Sequence, residues 1–257
     1  MLGFLNAPMG AAYLIVTTIA HVLTTPLGAG LATAAAIIVF TAAVRLLLSP
    51  LSYHAFRGQA RISALQPRIA ALRARYAHQP DRLQQELTAL YRAEGGGMLA
   101  GCLPMLLQLP FFSVMYRLFL SRTVDGHANG LLTRDLLTTT LGSHWLTGAG
   151  PFSVHGLAFL AVFALLAGAA YLAVRVGRTA APAAAGSQAA GSPAATALLT
   201  RIVPYTTVVI AAFVPLAAGL YLLTTTAWTA AERAGFRWWT TARAGRSRPA
   251  AAIAAGS

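Results

Sequence analysis

The chain has 257 residues, of which 57% are apolar and only 10% charged, with 19 basic side chains against 6 acidic ones. A soluble domain carries about 25% charged residues, so this balance excludes that class and points to a polytopic membrane protein. All the basic residues are arginine, and a single cysteine, Cys102, excludes an internal disulfide and a zinc cluster.

Residues 1–44, 95–116, 136–174 and 202–231 contain no Asp, Glu, Lys or Arg, and roughly 20 apolar residues suffice to cross the hydrocarbon core. The arginines segregate by loop rather than forming one basic face. They crowd 53–95, the flanks of 175–201 and 233–248, and are sparse around 117–135, where Asp125 and Asp135 also lie. This is the positive-inside asymmetry, and it argues against DNA as a partner. It predicts an N-terminus outside and a C-terminus inside, with basic cytosolic loops that attract anionic membrane lipids.

No basic n-region precedes the first apolar stretch, so a cleavable signal peptide is not expected. Residues 8–24, in the segment 1–27, read as a helix lying on the outer face. If this stretch and 29–51 both crossed, the N-terminus would be cytosolic without a positive charge. The first span is therefore 29–51, within 28–52.

Residues 53–95 differ in kind. Leu65, Ile69, Leu72 and Tyr76 recur at helical spacing, as do Leu83, Leu87 and Leu90 after the break at His78-Gln79-Pro80. Pro80 suits the first position of a second helix and Asp81 its first turn, which predicts a cytosolic antiparallel helical hairpin.

The second span is 97–119, within 96–120, followed by an extracytoplasmic loop over 121–153. The third is 154–175, within 154–176, followed by an Ala/Gly/Ser/Pro-rich cytosolic linker over 177–197. Both flanks of 202–231 are arginine-rich, so 198–237 should cross twice and turn near Pro215. Residues 238–257 read as a basic, disordered tail. The expected fold is all-α, with five transmembrane helices, an outer interfacial helix and the cytosolic hairpin.

Arg45 is the first charged residue of the chain and sits within an apolar run. A buried arginine costs about 2.5–3.5 kcal/mol at a helix centre, which makes it a functional candidate. None of the six acids falls in a stretch expected to lie in the bilayer core. Arg45 is thus expected to reach water or to await a negative group brought by something else. Thr41 and Ser49 share its helical face, although each can instead bond back to a backbone carbonyl. Gln108 and Met105 lie in the second span between Pro104 and Pro110, which free backbone carbonyls there. The six histidines show no metal-binding spacing and no nucleophile or phosphate motif is present, so neither cofactor, metal nor enzymatic activity is expected.

Three stretches resemble the YidC family of membrane protein insertases: "VRLLLSPL" (44–51), "LQPRIAALRARY…LQQELTALYRAE" (65–94) and "GCLPMLLQLPFFSVMYRLF" (101–119). The closing "PYTTVVIAAFVPLAAGLYLLTTTAW" (204–228) resembles the family's last helix pair. The resemblance covers about 10–240. It departs from the family at Gly95-Gly96-Gly97, where an Asn-Pro is usual, and it lacks the large periplasmic domain of some members.

The resemblance implies a five-helix core in the bacterial cell membrane with a positively charged groove, closed to the outside and open to cytosol and lipid. Arg45 matches the groove arginine, with Thr41, Ser49, Met105 and Gln108 as groove residues. It also implies nascent membrane proteins as clients, without nucleotide or metal. The hairpin would capture clients through Arg68, Arg73, Arg75, Tyr76, Leu83 and Leu87. The ribosome, reached by the basic tail, and the Sec translocon are the further partners considered. The rival reading is a small-anion channel or transporter with Arg45 as its selectivity charge.

Overall fold

The computed structural model of the chain describes residues 6–93, 103–124, 126–136, 139–146, 153, 156–177, 202 and 205–254. The side chains of Met105 and Gln108 lie outside the described residues, as do those beyond Ala242. Helices dominate: α1 (Asn6–Leu27), α2 (Ala29–Ala64), α3 (Gln66–Arg75), α4 (Pro80–Ala93), α5 (Leu103–Leu120), α6 (Gly156–Gly177), α7 (Thr206–Ala211) and α8 (Leu216–Ala254). Two small antiparallel ladders lie between α5 and α6: β1 (Thr123–Val124) with β2 (His127–Ala128), and β3 (Asp135–Leu136) with β4 (Thr139–Thr140).

α1, α2 and α6 each contain a stretch long and apolar enough to cross a bilayer: Asn6–Leu27, Ala29–Gly58 and Gly156–Val176. α1 is therefore longer and more span-like than the 8–24 expected. Pro26 is accommodated within its last turn. The break falls at Gly28, whose φ of 76° lies in the left-handed region that glycine enters without penalty.

Apolar side chains of α1, α2, α5, α6 and α8 form one core, with Val16, Ile37, Leu118, Phe119, Phe159, Leu166 and Leu216 essentially inaccessible. The opposite faces stay apolar and exposed, as at Leu47 (78%), Leu165 (59%) and Leu172 (57%). Water would not tolerate so extensive a belt, whereas lipid does.

The segment between α5 and α6 caps two helices and packs against a third. Buried Asn129 donates through Nδ2 to the carbonyls of Leu118 (2.7 Å) and Ser121 (3.0 Å) at the end of α5. The first N–H groups of α8 find acceptors in the same segment: Leu216 donates to Ser143 (3.1 Å) and Ala217 to Leu141 (2.9 Å). Helix ends leave such groups without partners of their own, so these bonds fix where α5 stops and α8 starts. Against α2 the segment approaches so closely that a Cβ on Gly30 would fall 1.6 Å from the Asp135 carbonyl oxygen.

The helical hairpin has the expected break. α3 ends at Arg75, Tyr76 N–H bonds back to Leu72 (2.9 Å), and α4 starts at Pro80.

The closing segment differs from expectation in two ways. The chain does turn beside Pro215, but the arm before it has only the six described residues of α7, whereas α8 runs for 39 residues. The tail expected to be disordered is instead helical to Ala254. Alanine and arginine rank high among helix formers, and the packed half supplies the nucleus from which the helix extends, against the poor propensities of Gly245 and Pro249.

Candidate functional site

Arg45 and Ser49 of α2 face α8, with Thr41 one turn before them on the same side. Thr41 is buried, and its hydroxyl donates to the Ile37 carbonyl at 2.7 Å, the back-bond expected of it. Arg45 and Ser49 follow one and two turns later, both half-buried. Ser49 Oγ lies 3.0 Å from the Arg45 carbonyl and 2.7 Å from Glu232 Oε1. Its single proton is best donated to the closer, charged oxygen.

Arg45 therefore does not stand away from every acid of the chain. Its guanidinium lies within electrostatic range of the Tyr221 hydroxyl and the Glu232 carboxylate. The sequence expectation fails because Glu232, next to Arg233 at the end of an uncharged run, reads as a loop-edge acid. α8 instead continues unbroken past it, so the residue sits on a helical face packed against α2.

That face of α8 carries a polar series. Tyr221, Thr225, Trp228 and Glu232 are spaced four, three and four apart and so line one side of the helix. Thr225 lies beside Tyr221, yet its Oγ1, like Nε1 of Trp228, is buried without a hydrogen-bond partner of good geometry among the described residues. A buried donor left unmade costs about 1–3 kcal/mol, so two on one face mark a place where a polar group from elsewhere is favoured.

Depth along the helices is consistent with this pairing. Arg45 lies about 22 Å along α2 from Gly30, and Glu232 about 24 Å along α8 from Leu216, at 1.5 Å per residue. Both starting points touch the segment between α5 and α6, so the two charged groups sit at matching depth.

One turn further along, rings close the seam. Tyr53 packs edge-on against Phe236 (5.3 Å between centroids) and Trp239 (5.6 Å), and Phe56 against Phe236 (5.5 Å). Arg237 donates to the Val176 carbonyl, tying the end of α6 to α8.

The hairpin residues are brought together separately. Leu65 and Ile69 are buried and Leu83 and Leu87 half-buried, while Arg73 and Arg75 are exposed. The Arg75 guanidinium lies over the Tyr76 ring, 5.7 Å from its centroid. Arg68, Leu72 and Arg75 face Glu86 and Leu90 across a shallow open cleft of about 480 Å³. Among the described residues no cluster of His, Cys, Asp or Glu could hold a metal.

Tyr221, Thr225, Trp228 and Glu232 were not foreseen as site residues. The signal available was their four-three-four spacing in a run otherwise rich in alanine, leucine and threonine. Only the packing against α2 gives that spacing its meaning.

Comparison with known proteins agrees with this architecture. The sequence model of the family described as "60Kd inner membrane protein" matches residues 10–241. The membrane protein insertase YidC of Granulibacter bethesdensis is 41% identical over 93 residues, 36% of this chain and 16% of the relative. Its counterpart in Acidiphilium cryptum is 48% identical over 82 residues (32% and 14%), and that of Cupriavidus taiwanensis 39% over 85 residues (33% and 15%). The aligned stretches thus cover about one seventh of the relatives' length. The chain belongs to the 60Kd inner membrane protein family, the YidC family, and is a protein of the bacterial cell membrane.

Proposed function

We propose that this family member is a membrane protein insertase. It would take short hydrophilic segments of nascent membrane proteins into the polar seam between α2 and α8 and release the adjoining apolar segments to lipid. The observation that carries the reading is the seam itself: Thr41, Arg45 and Ser49 on α2 facing Tyr221, Thr225, Trp228 and Glu232 on α8, inside a bundle otherwise packed with apolar side chains. The names of the relatives support it, since each is a membrane protein insertase.

The physical logic is local. A hydrophilic tail crossing hydrocarbon loses hydrogen bonds worth several kcal/mol per unsatisfied backbone group. Donors such as Trp228 Nε1 and Thr225 Oγ1 can bond that backbone, and the Arg45 guanidinium attracts its acidic groups. Each contact shortens the stretch over which the tail goes without partners. The process makes and breaks no covalent bond, so the protein is not an enzyme.

In this reading the chain crosses five times, N-terminus out, with α1 lying on the outer face. The contacts of the segment between α5 and α6 favour that placement. Gly130 N–H points at the Tyr13 hydroxyl (3.4 Å) in the first half of α1, while Asp135 abuts Gly30 beyond its end. The basic hairpin α3–α4 receives clients in the cytosol, and the arginines of the C-terminal end of α8 offer contact to ribosomal RNA. The Sec translocon is a further partner consistent with the family.

Reconstitution tests the reading. Purified protein in liposomes should insert a short single-span client without ATP, scored by protease protection. Passage of small anions with no insertion would overturn it in favour of a channel that uses Arg45 for selectivity.

A further inference from the structure

Glu232 departs from what a positively charged client site needs, because it places a fixed negative charge within range of the one arginine meant to attract the client. Its position is held. Ser49 donates to its Oε1 at 2.7 Å across the seam, and Phe236, one turn on, is clasped by Tyr53 and Phe56 of α2. A hydroxyl-to-carboxylate bond of this length is charge-assisted, and this one is part-buried.

We propose that Glu232 is a resident counter-ion: an internal stand-in for a client's acidic group, latched to α2 by Ser49, that must yield before a client carboxylate can engage Arg45. The inference rests on the insertase reading and deepens it, because it names what sets client selectivity. With the counter-ion in place Arg45 is partly neutralised at rest, so a buried guanidinium is tolerated between clients. A client acid then gains only the difference between its own contact with Arg45 and that of Glu232. The wild type should therefore discriminate weakly between acidic and neutral tails. Removing the resident charge while keeping the shape should sharpen that discrimination.

The test compares two single-span clients that differ only in an acidic or neutral hydrophilic tail, inserted into liposomes by the wild type, E232Q and S49A. Glutamine retains the size of glutamate and can still accept from Ser49. E232Q is expected to raise the acidic-to-neutral insertion ratio by roughly fivefold, the order carried by one partly exposed ion pair. S49A, which leaves the carboxylate but releases it, should move the ratio the same way by less. In a double-mutant cycle the effect of E232Q should vanish on an Arg45→Gln background. An unchanged or falling ratio in E232Q, with its thermal unfolding near that of the wild type, would overturn the proposal while leaving the insertase reading intact. If E232Q unfolds, the S49A ratio decides in the same way. A wild type that inserts neither client overturns both.

Discussion

Arg45 draws its meaning from what surrounds it rather than from its charge alone. The half-buried guanidinium lies within electrostatic range of both Tyr221 and Glu232, and between those two on α8 Thr225 Oγ1 and Trp228 Nε1 are buried with no hydrogen-bond partner of good geometry among the described residues. Two predictions belong at this scale. Arg45→Glu should depress insertion of acidic-tailed clients about tenfold more than that of neutral-tailed ones, about 1.4 kcal/mol, because the new carboxylate repels a client acid where the arginine did not. Protease protection with matched clients measures it, and an equal loss for both would assign Arg45 a structural role. Trp228→Phe removes the Nε1 donor and keeps most of the ring. It should leave thermal stability unchanged or raise it by up to about 1 kcal/mol, because an unmade buried bond disappears, while insertion slows. A drop in stability larger than the loss of ring volume accounts for, about 1 kcal/mol, would mean that the indole donor has a partner within the fold.

At the scale of elements, the short segment between α5 and α6 does more than connect. It caps α5 through Asn129, caps α8 at Leu216 and Ala217, and lies against α2 at Gly30. Asn129→Ala should lower unfolding stability in detergent by about 1–3 kcal/mol, since the carbonyls of Leu118 and Ser121 lose their donor. Gly30→Ala should cost about 1–3 kcal/mol as well, because a methyl group there collides with the Asp135 backbone and that segment must move. Differential scanning of the two variants checks both.

Elements were unevenly legible in the sequence. The break between α3 and α4 could be read from Pro80 and the spacing of the leucines, because one proline at a first helical position dictates the local backbone. The length of α8 could not. Its second half reads as a tail because composition alone does not reveal a helix already nucleated by packing. The capping role of Asn129 was equally hidden, since a lone asparagine among loop residues carries no periodic signal.

For the whole molecule, the same limit explains the candidate site. Thr41, Arg45 and Ser49 were legible because a charge and two hydroxyls at helical spacing stand out in an apolar run. Their counterparts were not, because Ser49 and Glu232 meet across 183 positions of sequence, and only the packing of α2 against α8 brings them together. The hairpin α3–α4 stands apart from this core: α4 has no buried residue, and the hairpin's own cleft is shallow. Replacing residues 66–93 with a short Gly/Ser link should therefore shift bundle stability by less than about 0.5 kcal/mol. Client capture from ribosomes, read by co-sedimentation, should fall. Unfolding of the bundle on that replacement would show that the hairpin is a structural brace.

The most direct measurement is site-specific photo-crosslinking from positions 45 and 225, one on each wall of the seam, during insertion of a ribosome-bound client. Adducts from both positions to the client's hydrophilic tail are the expected result. Adducts confined to lipid or to the protein's own chain, while the client still inserts, would contradict the claim that tails travel between α2 and α8.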